Sequence, residues 1–249
     1  MTRMTLLAAI LSLPVSLPGL AQETSQTGAP ADWPLPVQDS PIVTFLQTDR
    51  AEYRVTDGDN GYLWDLQGWI GTDRHKLWIK TEGEGLVDDS VETAEFQALY
   101  SRMVTPFFDL QAGIRHDVRP DPSRTHAVLG LQGLAPQWFE IDAALFLSDK
   151  GDLTARIEAE YDFRLTQRLV AQPRAELNLA AQGVAELDIG AGLTDAEMGL
   201  RLRYEITRQV APYIGVSWAR AIGDTADLFR ARGGDPGQTA LVMGVRLWF

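Results

Sequence analysis

The sequence predicts an all-β protein, namely a transmembrane antiparallel up-and-down β-barrel of about twelve strands, with about ten strands as the smaller alternative. Three observations predict this fold class. Apolar and polar residues alternate with a period of two, in segments of about nine to thirteen residues that suit a tilted strand crossing a bilayer. Connections between the segments alternate between long and short. The last segment ends on an aromatic residue, Phe249, as the terminal strands of bacterial outer-membrane barrels commonly do.

The first residues predict export. Arg3 supplies a positive charge, residues 6–17 are mostly apolar, and residues 19–21 have the small-x-small pattern of a cleavage site. Residues 1–21 are therefore interpreted as a signal peptide. A membrane anchor is the alternative, but the apolar run is short and is interrupted by prolines.

The segment that follows differs in composition from the rest of the chain. Residues 22–41 are rich in Pro, Ser, Thr and Gln and show no hydrophobic periodicity, so we predict a disordered periplasmic leader. Residues 42–249 are predicted to form the barrel. After the signal peptide no window holds the roughly 18 uncharged apolar residues of a spanning helix, so only strands could cross a membrane.

Composition limits the possible partners. The chain has 249 residues, no cysteine and a formal net charge of -12. Without cysteine no disulfide framework can hold the exported fold. The negative charge argues against nucleic acid or anionic lipid as a partner and is compatible with cations, although solubility of exposed loops is the favoured explanation.

Twelve segments carry the period-two pattern, and the clearest lies at 153–163. Its odd-numbered residues are apolar, whereas most of its even-numbered residues are charged. No helix of consequence is predicted. Odd-numbered connections such as 55–61 are often long and even-numbered ones such as 71–75 are tighter, which predicts long outer loops and periplasmic termini. The predicted strands are 42–54, 62–70, 75–82, 93–100, 107–118, 126–134, 138–147, 153–163, 168–179, 194–206, 211–220 and 239–249.

In a membrane barrel the apolar side chains face lipid and the charged ones face the lumen. This rule places Ile157 toward lipid and Trp78 toward the lumen, where an aromatic ring could narrow the bore. Charges of both signs on facing walls are expected to form a structural ion-pair network, because an unpaired charge in a confined bore is costly. A polar path or a weak cation-binding surface is the functional alternative. The predicted network contains Glu158, Glu160, Arg174, Glu176, Glu197, Arg201, Arg203 and Glu205.

Candidate metal ligands are few and weak. His116 and His126 flank an outer loop and could approach each other across a hairpin, where Asp117 or Asp121 would complete a Cu(II) or Zn site. The alternative places His116 and Val128 near strand ends on the lipid side, with the histidine replacing a belt aromatic. Met103, in a predicted periplasmic turn, is either a weak copper contact or a turn-packing residue.

No catalytic or cofactor-binding residues are predicted. Ser123 and His126 are close in sequence, but proximity along the chain is not triad geometry, and nothing supplies an oxyanion hole. Motifs for phosphate, zinc-protease chemistry or nucleic acid are missing from the sequence. An enzyme is not expected, and an outer-membrane hydrolase resembling barrel phospholipases is the least favoured alternative.

Several segments resemble a known family over about residues 60–249. They include "RHKLWIKTEGE" at 74–84, "AEYDFRLTQRLVAQPRAELNLA" at 159–180 and "GLTDAEMGLRLRYEITRQVAPYIGVSWAR" at 192–220. Together they resemble the copper resistance protein B family of bacterial outer-membrane proteins. The resemblance implies a barrel that acts in copper tolerance, by binding copper or by assisting its removal from the periplasm.

The resemblance also implies copper as the ligand, with outer-membrane lipid and periplasmic copper-handling proteins as further partners. One departure matters. Members of the family often carry a leader rich in Met and His, suited to copper, whereas residues 22–61 contain neither residue type. A general small channel or a scaffold barrel without a dedicated metal role is therefore the alternative function.

Overall fold

The computed structural model describes residues 41–87 and 89–249, so the predicted signal peptide and almost all of the predicted leader lie outside the described residues. The described chain forms long antiparallel strands, as the period-two pattern predicts. The strands are β1 (Val43–Val55), β2 (Gly61–Gly71), β3 (His75–Leu86), β4 (Val91–Thr105), β5 (Phe108–Arg119), β6 (Arg124–Leu134), β7 (Glu140–Ser148), β8 (Leu153–Glu160), β9 (Phe163–Arg164), β10 (Leu169–Ala180), β11 (Gly192–Tyr204), β12 (Val210–Ala221) and β13 (Gly237–Trp248).

The strands close into a barrel. Consecutive strands pair in antiparallel fashion, and β13 pairs with β1, where Gln47 lies opposite Trp248. The two-residue strand β9 continues β8 after a break at residues 161–162, and both pair with β10. The barrel therefore has twelve strands, and the predicted fold class and strand number are confirmed.

The two faces of each strand have opposite character. Apolar side chains such as Leu129, Ile157 and Met198 are exposed on the outer surface, whereas charged side chains such as Arg174 and Arg201 are buried in the lumen. An outer surface of this kind suits lipid, because lipid replaces the water that would otherwise contact the apolar side chains. Among the described residues, no helix is both long enough and apolar enough to cross a membrane.

The connections differ from the prediction in part. β1 begins and β13 ends at the same end of the barrel, and the turns at that end are short. At the opposite end only 181–191 and 222–236 are long, because strands β3 and β4 extend through much of the predicted loop at 83–92. Long outer loops are thus fewer than the sequence suggested.

Residues 221–238, which connect the last two predicted strands, contain the helix α1 (Gly223–Ala231). This helix packs beside β11, where the Gly190 N–H donates to Thr225 Oγ1 at 2.9 Å and Ala226 is buried. The expectation that the chain has no helix of consequence is corrected here. Two short 3-10 helices, Pro136–Trp138 and Ala185–Leu187, lie in other connections.

An apolar cluster narrows the lumen. Trp78, Leu99, Val128 and Phe146 project inward from four strands and pack together. Trp78 lies in the lumen, as expected. The placement of Val128 on the lipid side is wrong, because β6 begins with its even-numbered residues inward and Val128 is only 5% exposed.

Candidate functional site

Two cavities of the lumen follow each other along the described barrel. The lower cavity, at the end where β1 begins and β13 ends, has a volume of about 490 Å³. The upper cavity, at the end with the long connections, has a volume of about 570 Å³. The linings of the two cavities have four residues in common: Glu82, Glu95, Phe146 and Arg156. We call these four residues the partition.

The partition is held by ion pairs that cross the lumen. Arg156 projects from β8, and its Nη1 lies 2.9 Å from Oε2 of Glu82 on β3. Its Nη2 lies 3.1 Å from Oε2 of Glu95 on β4. A second arginine, Arg50 on β1, contacts the other oxygen of Glu82 at 2.5 Å. These contacts join strands that are far apart around the barrel.

Arg174 organises the neighbouring wall. Its Nε and Nη2 bond the two oxygens of Glu158, each at 2.6 Å, and Nη2 also lies 2.6 Å from Oε2 of Glu176. The Arg174 side chain is only 4% exposed. A bidentate guanidinium–carboxylate pair fixes the relative position of its two side chains and neutralises their charges, so Arg174 links β10 to β8.

Glu52 is the most deeply buried carboxylate of these ion pairs. Arg201 Nε donates to Glu52 Oε1 at 2.6 Å, and the Tyr213 hydroxyl donates to the same oxygen at 3.1 Å. The Glu52 side chain is fully enclosed. Such a carboxylate must be paired, because an isolated buried charge would cost several kcal/mol.

Glu197 forms a second focus. Its Oε1 accepts a hydrogen bond from Ser217 Oγ at 3.0 Å. Guanidinium nitrogens from four different arginines surround the same oxygen at distances between 3.4 and 3.9 Å. These arginines are Arg50, Arg54, Arg174 and Arg201. Strands β1, β10 and β11 are thus linked through one carboxylate.

The structure brings together five of the eight residues predicted for the lumen network: Glu158, Arg174, Glu176, Glu197 and Arg201. The other three lie nearer the lower end with separate partners. Gln172 donates to Glu160 at 3.0 Å, Arg203 bonds Asp162 at 2.5 Å, and Glu205 lies 3.4 Å from Arg164.

The prediction omitted Arg50, Glu52 and Arg54, which belong to the centre of the network. The cause is a register shift in β1 between Thr48 and Arg50. An extra residue at such a bulge exchanges the two faces of a strand, so the period-two pattern breaks there. In the sequence, the alternation of charged and uncharged residues after Arg50 is the only sign that the faces of β1 are exchanged there.

Acidic side chains exceed basic ones in both cavities. The lower cavity is lined by eight carboxylates and five basic side chains, and the upper cavity by nine carboxylates and five basic side chains. A confined space with low-dielectric walls and one excess sign of charge concentrates ions of the opposite sign. The formal charge of the side chains that line each cavity is therefore negative.

The candidate metal ligands do not converge. His116 lies on the outer face, with Nδ1 3.0 Å from Thr125 Oγ1. His126 lies on the lumen face, with Nδ1 3.7 Å from Asp117 Oδ2. Arg115 lies opposite His126 in the pairing of β5 and β6, so these two side chains share the lumen face. His116 follows Arg115 directly, and successive residues of a strand point to opposite faces, so the two imidazoles lie on opposite sides of the wall.

Met103 lies near the lower end of β4, opposite Asp109 and half-buried. Neither His116 nor His126 shares that end of the barrel. Within residues 41–87 and 89–249, no group of three or more His, Cys, Asp or Glu side chains is arranged to hold a metal ion. A copper site at these residues stays a prediction, and the acidic lumen is the feature that could interact with cations.

The barrel is similar in fold to a solved porin. It matches the NanC porin with a TM-score of 0.54 and 14% identity, over 81% of this chain and 98% of the porin chain. The sequence model described as "Copper resistance protein B precursor" matches residues 42–249. The chain belongs to the copper resistance protein B family. The resemblance found in the sequence is thereby confirmed.

Two members of the copper resistance protein B family are close relatives. The "Copper resistance protein B" of Escherichia coli is 42% identical over 213 residues, which cover 86% of this chain and 72% of the relative. A homolog from Pseudomonas syringae pv. tomato is 43% identical with the same coverage. The family and the porin-like barrel together locate the protein in the outer membrane.

Proposed function

We propose that this barrel provides copper resistance at the outer membrane by attracting copper ions into its lumen and assisting their removal from the periplasm. The observation that carries the proposal is the excess of carboxylates over basic side chains in both lumen cavities. Family membership supports copper as the cation. We propose no catalytic activity for the barrel.

Weak binding at many positions suits passage better than a closed metal site. An ion must bind well enough to enter a channel and weakly enough to leave it. Carboxylates such as Glu158 and Glu176 are already paired with Arg174, so each offers only a weak and exchangeable contact. His126 adds one imidazole on the lumen face. Copper would therefore pass through the lumen as cargo.

A general small channel or scaffold barrel is the second candidate. It is favoured by the missing Met and His residues between 22 and 61, because no thioether or imidazole is present there to capture copper. In the first candidate, periplasmic copper-handling proteins deliver the metal, and the leader is not required. The two candidate functions predict different effects of losing the barrel on copper sensitivity and on the amount of copper in the periplasm.

Deleting the gene tests the proposal. We expect greater sensitivity to copper and more copper in the periplasm, both reversed by the wild-type gene and by a version lacking residues 24–40. An equal challenge with zinc controls for a general envelope defect. Unchanged copper sensitivity and unchanged periplasmic copper would leave the general channel as the function. A decrease in periplasmic copper would overturn removal as the direction of transport.

The proposed processing has a direct test. Cleavage after residue 21 predicts that the mature protein begins at Gln22. N-terminal sequencing of protein purified from outer membranes checks the cleavage site. Protease treatment of the same membranes from the periplasmic side should remove the leader and spare the barrel.

A further inference from the structure

The partition contains a single basic residue. Of the four residues shared by the two cavities, Glu82 and Glu95 are acidic, Phe146 is apolar and Arg156 is basic. The two cavities adjoin at this layer. Arg156 is thus the basic residue that borders both cavities, whereas Arg50 and Arg115, which also pair with the two carboxylates, border one cavity each.

The Arg156 side chain crosses most of the lumen. It starts on β8 and reaches Glu82 on β3 and Glu95 on β4, at 2.9 and 3.1 Å. Its Nε also lies 3.4 Å from Glu176 on β10. The guanidinium carbon lies 5.9 Å from the centre of the Phe146 ring. Arg156 thus fills the space between opposite walls instead of lying along one wall.

The two carboxylates have other partners that would hold them if Arg156 moved. Glu82 bonds Arg50 at 2.5 Å, while Glu95 lies 2.9 Å from Arg115 and accepts a hydrogen bond from Gln97 at 2.7 Å. Both carboxylates would therefore stay in place and face the lumen.

Arg156 is also the more accessible arginine. Its side chain is 22% exposed, compared with 4% for Arg174 and 3% for Arg201. Arg174 and Arg201 line only the lower cavity, whereas Arg156 borders both cavities. Arg156 is therefore the arginine at the junction of the two cavities.

We propose that Arg156 is the gate of the lumen: in its present position it closes the partition to ions, and its departure opens a cation-selective passage lined by Glu82 and Glu95. The assignment does not rest on the copper role, because the gate would act on any small cation. In the proposed function the cavities attract cations, and Arg156 now adds a residue that controls which ions pass.

Conductance of the refolded full mature protein in planar lipid bilayers tests the gate. In a potassium chloride gradient we expect low conductance for the wild type and a severalfold increase for Arg156→Ala, with the reversal potential moving toward that of potassium. Arg156→Lys keeps the positive charge and should lie between the two. Arg203→Ala is the matched control, because Arg203 is a buried lumen arginine that lines neither cavity, and its conductance should equal that of the wild type.

Retained barrel folding is checked by the different gel mobility of unheated and boiled samples. If Arg156→Ala does not fold, Arg156→Gln removes the charge with less loss of volume and is measured instead. Wild-type conductance in a folded neutral variant would overturn the gate. A shift of the reversal potential toward chloride would overturn the cation selectivity.

Discussion

Glu140 and Glu160 lie directly opposite each other on β7 and β8, two carboxylates side by side on the wall of the lower cavity. Gln172 donates to Glu160 at 3.0 Å. Within the part of the chain that the structure describes, no Lys, Arg or His nitrogen lies within 4.0 Å of either carboxylate. The neighbouring Glu158, in contrast, is paired with Arg174. The two carboxylates repel each other, and Arg246, which is paired with Asp49, attracts them only from beyond 4.0 Å.

Replacing one of these two carboxylates should stabilise the barrel. Like charges directly opposite each other on paired strands cost about 0.2–1 kcal/mol, so we expect Glu160→Gln to raise the unfolding midpoint in detergent, since the amide oxygen can still accept from Gln172. Glu158→Gln is the control and should lower the midpoint, because it breaks the two-pronged bond to Arg174. Equal effects of the two variants would contradict this account.

The lipid-facing side of β8 gives a second prediction. Ile157 is exposed on the outer face and lies between Ala143 and Leu177 of the neighbouring strands. We expect Ile157→Arg to lower the free energy of unfolding in lipid vesicles by about 2–4 kcal/mol, as for basic residues near the bilayer midplane. Ile157→Leu should have little effect. A fully assembled, equally stable Ile157→Arg barrel would show that this face does not contact lipid.

Arg174 should be among the most sensitive positions of the lumen. Its removal leaves Glu158 and Glu176 buried with fewer partners, so we expect Arg174→Met to cost about 3–5 kcal/mol of stability. Arg164, whose side chain is 51% exposed and pairs with Glu205, supplies the control. Arg164→Met should cost less than about 1 kcal/mol, because solvent screens that pair. Denaturant titrations in vesicles compare both variants with the wild type, and similar losses would argue against a structural network.

The turn between β7 and β8 predicts a pH dependence. Burial disfavours the charged form of Asp152, but hydrogen bonds from Gln182, Ser148 and Arg124 outweigh this effect and hold the pKa of the carboxyl below its ordinary value of 3.8. A lowered pKa stabilises the turn above the ordinary value, and the stabilisation is lost as the pH falls through the lowered value.

Hydrogen exchange of residues 149–152 measures this effect. We expect protection to be constant at neutral and mildly acidic pH and to fall below pH 3.8 as Asp152 becomes protonated. Asp152→Asn should show weaker protection that no longer depends on pH in this range. Acid sensitivity that persists unchanged in Asp152→Asn would assign the dependence to another group.

The strand number could be predicted because lipid and lumen impose opposite chemistry on the two faces of every strand. Segments such as 153–163 and 194–206 therefore alternate without interruption. The same rule failed at Arg50, where an extra residue in β1 exchanges the faces. It also failed at Val128, because the lumen of this barrel holds an apolar cluster that the rule does not allow for.

Helix α1 and the contacts across the lumen could not be predicted for a different reason. A nine-residue helix is marginal alone, and α1 depends on its packing beside β11 and on the Gly190–Thr225 hydrogen bond. The pairing of Arg156 with Glu82 depends on which strands face each other around the ring. Period-two patterning fixes the face of a residue and leaves its partner across the lumen undetermined.

The bond between Glu52 and Arg201 joins residues 149 positions apart in the chain. Ring closure joins residues still farther apart in the chain, since Leu46 and Phe249 exchange backbone hydrogen bonds at 3.0 and 2.8 Å. Until the last strand docks, β1 and β13 present open edges and Glu52 lacks Arg201. Contacts between residues so far apart in the chain form slowly, and they stabilise only the completed ring. Insertion of this protein should therefore be slow and all-or-none, with strand closure and neutralisation of the lumen occurring in a single step.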